Sequence, residues 1–199
     1  MESFFGPAFE GVERLASLLE AHASERGLMG PREMERLWDR HLANSGVLAA
    51  FLPRAGLVVD VGSGAGLPGL VLALMRPDLR FELVDSMKRR TDWLEEAVKE
   101  LGLMNVSVTR ARAEDLGERS DGAAVVSRAV ARLDKLAAWT AGLLAPGGVF
   151  LALKGSGAAE ELSSCQGALG RAGLTGAEVL SAAPPGVLEP TYIIRAIKA

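Results

Sequence analysis

Apolar residues recur at Phe9, Val12, Leu15 and Leu19, a helical spacing that predicts an amphipathic helix ending by Gly27. A second helix is predicted from Pro31, a favoured first-turn residue. Met34, Leu37, Trp38, His41 and Leu42 share one face of it, and Pro53 stops it. From Leu57 the pattern changes to short, β-branched apolar runs. Strands are expected at Leu57–Val61, Phe81–Val84, Val106–Thr109, Ala124–Val126, Val149–Leu153, Glu178–Ser181 and Tyr192–Ile197. Helical patterns at Leu70–Met75, Thr91–Leu101, Leu133–Leu144 and Glu160–Ala172 lie between them.

Strands alternating with helices of this length call for right-handed crossovers and a parallel sheet covered on both faces. The last two strands are joined by Ala182-Ala183-Pro184-Pro185-Gly186 with no helix between, so the final strand is expected to run against the others. The expectation is an α/β, Rossmann-like single domain: a seven-stranded, mostly parallel sheet over residues 53–199 under a helical cap over residues 1–52.

With 199 residues, 49% hydrophobic and 24% charged, the chain has room for a core that needs no staples. Cys165 is the single cysteine, which removes an intrachain disulfide framework. Residues 1–10 have no basic start or apolar run, and no apolar stretch is long enough to span a membrane. A cytoplasmic, monomeric protein is expected. The net charge of −3 and 5% aromatic content speak against a partner bound by bulk electrostatics or base stacking. Basic residues nonetheless cluster at Lys88-Arg89-Arg90 and recur at Arg110, Arg112, Arg128, Arg132 and Lys135.

The densest chemical signal is Val58-Val-Asp-Val-Gly62-Ser-Gly64-Ala-Gly66-Leu-Pro-Gly69, placed after the first strand and opening a helix. Glycines there permit positive φ and let a ligand approach the backbone. The run formally satisfies a dinucleotide pattern, and Asp85 at the end of the second strand suits a ribose in either a nicotinamide or an adenosylmethionine site. Two carboxylates shift the balance. Asp60, two residues before Gly62, would repel a pyrophosphate but tolerates a cationic cofactor or fixes the loop. Glu114, after the third strand, can accept from the exocyclic amine of adenine, or serve a helix start.

Asp60-Val-Gly-Ser-Gly-Ala-Gly-Leu-Pro-Gly69, Val84-Asp85-Ser86 with Lys88-Arg89, Arg112-Ala-Glu114, Ser127-Arg128-Ala-Val-Ala131 and Leu153-Lys154-Gly155 together resemble the glucose-inhibited division protein B (RsmG) family. That family comprises bacterial guanine-N7 methyltransferases of small-subunit (16S) ribosomal RNA. The resemblance runs in order from about Pro31 to Lys154. It implies S-adenosylmethionine as cofactor, ribosomal RNA or the small subunit as partner, and no metal. It places Gly62, Gly64 and Leu67 at the cofactor from the glycine loop, Asp85, Ser86 and Met87 along the ribose, Ala113 and Glu114 at the adenine, and Arg128 at the methionine end. Two departures fall in the N-terminal helices: Gly27-Leu28-Met29 stands for a family Asn-Leu-Thr, and Asn44 for an Asp.

Lys88, Arg89 and Lys154 are candidate phosphate contacts, against a plain solvated surface. Guanine N7 already exposes a lone pair. Its methylation needs no general base, and no catalytic residue is nominated. His22 and His41 lack metal-ligand neighbours, Ser63 lacks a nucleophile elbow, and Cys165 lacks a basic neighbour. Trp38, Trp93 and Trp139 read as core. Three rivals stay open. A small-molecule methyltransferase would not need the basic cluster, and an oxidoreductase would need a proton donor. A non-catalytic adenosylmethionine-binding module would share every cofactor motif.

Overall fold

The computed structural model describes residues 1–187 and 189–199. Short helices α1 (Glu2–Phe5), α2 (Phe9–His22), α3 (Pro31–Met34) and α4 (Asn44–Gly46) precede the sheet. Helices α5 (Gly69–Met75), α6 (Lys88–Leu101), α7 (Leu133–Thr140) and α8 (Ala158–Arg171) flank it. Its strands are β1 (Leu57–Val61), β2 (Arg80–Asp85), β3 (Val106–Arg110), β4 (Gly122–Arg128), β5 (Leu144–Lys154), β6 (Leu174–Ala182) and β7 (Thr191–Lys198). The spatial order is β3-β2-β1-β4-β5-β7-β6. β7 is antiparallel to both neighbours and all other pairings are parallel, as the helix-free last connection required.

Alternation along β1 explains why the sheet is covered twice. Val59 and Val61 face a core built with α7 and α8 through Leu133, Leu136 and Leu162. Val58 faces the other way, against Val47, Leu48 and Leu72. The N-terminal helices add a further layer: Val12, Leu15 and Leu19 of α2 share a core with Leu70 and Val71 of α5 and Trp93 and Leu94 of α6.

The single helix expected from Pro31 is instead four short pieces. Arg36 (φ −113°, ψ 22°) breaks it after α3, a π-helical segment runs Leu37–Ala43, α4 follows, and a 3₁₀ segment spans Val47–Phe51. Two side-chain facts accompany the irregularity. Ser45 Oγ donates to the His41 carbonyl at 2.6 Å, a back-bond that bends helices. Gly46 lies so close to Phe4, Phe5 and Met75 that a Cβ would come within 2.8 Å of Phe4. Likewise the helix expected to reach Leu144 gives way to a 3₁₀ turn over Ala141–Leu143, and Leu144 already begins β5.

The order places a topological switch between β1 and β4, because the chain winds outward to β3 and then returns to the other side of β1. Crevices open at the carboxyl ends of strands beside such a point. The glycine run, Asp85 and Arg128 all stand on that edge. So does the β6–β7 connection, since β6 ends there and β7 begins there.

Candidate functional site: two clefts at the carboxyl edge

The glycine loop is held from beneath. Gly62 and Ser63 N–H both donate to the Val84 carbonyl, at 2.8 and 3.0 Å, which ties the loop to the end of β2. Trp93 Nε1–H donates to the Ala65 carbonyl at 3.1 Å, so α6 anchors its far side. Asp60 is fully buried; its Oδ2 accepts from Gly69 N–H at 2.9 Å and its carbonyl from Ser63 Oγ at 2.9 Å. Of the two roles open to Asp60, this geometry is the loop-fixing one. It also engages the Gly69 N–H at the start of α5, so that donor points to Asp60 and away from the crevice. Burial pushes the Asp60 carboxyl up to about 7, opposed by the Ser63 and Gly69 bonds and by the nearby Arg128 charge.

Asp85 is the second strut. Oδ2 accepts from Gly64 N–H at 3.1 Å and Oδ1 from Met87 N–H at 2.9 Å, an Asx-type bond that starts α6. Arg90 Nη1 lies 3.3 Å from Oδ2. Gly62 (φ +74°) has Val130 seated directly on it, and a Cβ there would meet Val130 Cγ2 at 2.3 Å. Glycine is thus required at 62 by the backbone and by Val130, before any ligand is considered.

Two adjoining clefts open on this edge. The smaller, about 350 Å³, is lined by Gly62, Asp85, Ser86, Ala113, Glu114 and Trp139, among others. Its size lies in the range of small-molecule sites, and its carboxylates suit donors such as ribose hydroxyls and an aromatic amine. The larger, about 770 Å³, is lined by Arg32, Arg36, Arg40, Arg128 and Lys154, with Glu33, His41 and Glu189 between them. Ala129, in the left-handed region (φ +56°), lines both, so Arg128 stands at their junction.

Of the residues singled out in the sequence, Gly62, Asp85, Ser86, Ala113 and Glu114 come together in the smaller cleft, and Arg128 and Lys154 in the larger. Gly64 lies under Asp85. Leu67 is buried in the core of the N-terminal helices, and Met87 is exposed. Lys88 and Arg89 line neither cleft: Lys88 Nζ is 2.8 Å from both Asp92 oxygens, and Arg89 reaches toward Gly27. Arg90 is the member of that triplet that turns to the site. Lys154 Nζ bonds Glu161 at 2.8 Å and the Ala131 carbonyl at 3.1 Å.

Three features escaped the sequence. Trp139 is half-buried on the cleft wall rather than in the core, while Trp93 is buried as expected. Arg32, Arg36 and Arg40 supply most of the larger cleft's positive charge, though each stands next to an acidic residue in the chain, which reads as a solvated face. His41 is buried among them, Nε2 2.9 Å from Glu33. Burial, followed by the charge of Arg128, lowers its pKa to about 4 despite Glu33. Among the described residues no cluster of His, Cys, Asp and Glu could hold a metal, and no helix is long and apolar enough to cross a membrane.

A seven-stranded sheet with one reversed strand, helices on both faces and a carboxylate-lined crevice at the switch point defines a Rossmann-like, class I methyltransferase fold. Solved structures agree on the fold: an S-adenosylmethionine-dependent methyltransferase from Aquifex aeolicus superposes with a TM-score of 0.62 at 20% identity, covering 86% of this chain and 100% of that one. A SAM-dependent O-methyltransferase from Thermotoga maritima gives 0.59 at 19%, covering 78% and 64%. The chain belongs to the rRNA small subunit methyltransferase G (GidB) family, whose model matches residues 9–181. It is 47% identical over 198 residues to the ribosomal RNA small subunit methyltransferase G of Frankia alni, covering 98% of this chain and 76% of that protein. Its counterpart in Beutenbergia cavernae is 54% identical over 157 residues, with 79% and 74% covered.

Proposed function

We propose that this chain transfers a methyl group from S-adenosylmethionine to N7 of one guanine in small-subunit ribosomal RNA. The observation that carries the reading is the pairing of clefts: a carboxylate-lined site of cofactor size joined at Ala129 to a larger one walled by four arginines and a lysine. A chain of net charge −3 concentrates cations there, where a polyanion would enter. The family's name supports the same substrate.

In this reading Asp85 and Ser86 hold the ribose, Ala113 and Glu114 the adenine, and Trp139 closes the wall. Gly62, Gly64 and Leu67 contribute backbone from the loop, with Met87 at its rim. Arg128 takes the carboxylate of the methionine end, a charge-assisted contact suited to its half-buried position. The bound cofactor supplies a methyl group on a positively charged sulfur. Guanine N7 attacks with its own lone pair, so the chain's task is to hold that atom in line, a contribution of up to ~7–11 kcal/mol. Accordingly no catalytic residue is assigned. Arg32, Arg36, Arg40 and Lys154 face the RNA, while Lys88 and Arg89, outside both clefts, meet phosphates further along the strand. Residues 1–52 and 53–199 act as cap and core of one unit, in the cytoplasm where ribosomes are made.

Mass analysis of small-subunit RNA from cells lacking the protein tests this. One N7-methylguanine should vanish and return on complementation. An unchanged set of methylated nucleotides refutes the RNA assignment, and tight binding of NAD in place of adenosylmethionine refutes the cofactor.

A further inference from the structure

Arg36 and Arg40 lie four residues apart, at the break after α3 and in the first turn of the π-helical segment, and two like charges so placed repel. Both converge on a single oxygen, Oε2 of Glu189, with Arg40 Nη1 at 2.6 Å and Arg36 Nη2 at 3.4 Å. Glu189 comes from the β6–β7 connection, about 150 residues away in the chain. It reaches the arginines because that connection crosses the same carboxyl edge. All three side chains line the larger cleft and are about half exposed. An ion pair so exposed contributes little to stability. Its geometry, two guanidinium groups aimed at one anionic oxygen in the mouth of a cleft, suits a tetrahedral anion better, because phosphate offers each arginine its own oxygens.

We infer that Arg36 and Arg40 form a binding site for a backbone phosphate of the RNA, and that Glu189 holds this site in the free protein until the phosphate displaces it. The inference rests on the RNA reading above. Glu189 does two things here. It keeps the two guanidinium groups together at a shared anion position, and it sets a threshold that a weaker anion does not pass. The Arg40 carbonyl accepts from Arg128 Nη1 at 3.4 Å, so the phosphate site is one hydrogen bond from the residue at the junction of the clefts.

The test is binding of a fluorescently labelled, unmethylated small-subunit RNA fragment by wild type, R36A/R40A, E189Q and the triple variant at 50 and 200 mM salt. Thermal melting and adenosylhomocysteine affinity serve as checks on folding. Loss of this one phosphate contact should make R36A/R40A about 2.6- to 3.5-fold less salt-sensitive over this range, from a slope of roughly 0.7–0.9 per phosphate. Lysines at both positions should retain the slope. E189Q should tighten binding by about two- to fivefold, the gain expected on removing an exposed competitor. That gain should disappear in the triple variant. An unchanged salt slope in R36A/R40A overturns the site. A gain from E189Q that persists without the two arginines overturns the displacement, since it then reflects general charge alone. Methyl transfer by the wild type to the same RNA is followed in parallel: with transfer intact, either result rejects only this inference, whereas a wild type that neither binds nor methylates the RNA rejects the functional reading itself.

Discussion

Replacing Asp85 by alanine separates two roles that its carboxylate combines. The side chain is 3% exposed and accepts from Gly64 N–H at 3.1 Å and Met87 N–H at 2.9 Å, with Arg90 3.3 Å away. A hydrogen bond to a charged group contributes about 1.5–3 kcal/mol. The Met87 N–H sits at a helix start where water can replace the carboxylate, so the expected folding loss is about 2–4 kcal/mol rather than the full sum. If the same carboxylate also holds the ribose, adenosylhomocysteine should bind about 10- to 150-fold more weakly, the equivalent of one such bond. Affinity alone does not separate direct contact from a loosened loop. Calorimetry with adenosylhomocysteine and its 2′- and 3′-deoxy analogues does. Wild type should discriminate against at least one deoxy analogue by tenfold or more, and Asp85→Ala should lose that discrimination. Equal discrimination in both proteins would mean that Asp85 only braces the glycine loop. An unchanged denaturation midpoint would remove the bracing role as well.

Gly62→Ala should destabilise the fold by about 1–2 kcal/mol through its φ of +74° and further through its collision with Val130, and adding Val130→Ala should recover the second part in urea denaturation. Asp60, raised to about 7 by burial, contributes stability that is full below its unfolded value and is lost as pH rises through 7. Asp60→Asn, which still offers Gly69 an acceptor, should therefore gain as much as about 4 kcal/mol over wild type at pH 8 and nothing near pH 3, and a difference that does not vary with pH refutes the burial penalty. His41, lowered to about 4, has the opposite sign, its stability present above 6.5 and lost as pH falls toward 4, so only the difference between variants isolates Asp60. Arg119 Nη1 lies 2.6 Å from Glu82, a β2 carboxylate 8% exposed that also accepts from Thr109 Oγ1 at 2.7 Å. Arg119→Met should cost about 2–3 kcal/mol by thermal melting, less than for a fully buried pair because Arg119 keeps some contact with water.

Local rules sufficed wherever chemistry is set by neighbours in the chain. All seven strands were legible as short runs rich in β-branched and apolar residues, although β5 and β6 begin at Leu144 and Leu174, earlier than the expected Val149 and Glu178, and the reversed last strand followed from a connection with no room for a crossover helix. The glycine run, Asp85 and Ala113-Glu114 were legible because parallel strands deliver their carboxyl ends to one edge, so residues just past those ends meet whatever their separation in sequence. The N-terminal segment obeyed no such rule. A period of 3.6 in Met34, Leu37, Trp38, His41 and Leu42 says that these residues share a face, and Met34, Leu37, Trp38 and Leu42 do meet in one core, but the helix breaks at Arg36, continues as a π-helical turn that leaves His41 among the arginines of the larger cleft, and brings Gly46 close against Phe4 and Met75. Charge was the least legible quantity. Lys88-Arg89 looked like the basic surface because it is contiguous, yet neither lines a cleft: Lys88 pairs with Asp92, and Arg89 reaches toward Gly27. Arg32, Arg36 and Arg40, each followed or preceded by an acid, face one cleft together with Arg128, Lys154 and Glu189. An electric field sums over residues close in space, and closeness between Arg40 and Glu189, at opposite ends of the chain, exists only once the sheet has brought the β6–β7 connection back to the edge where β1 and β4 part.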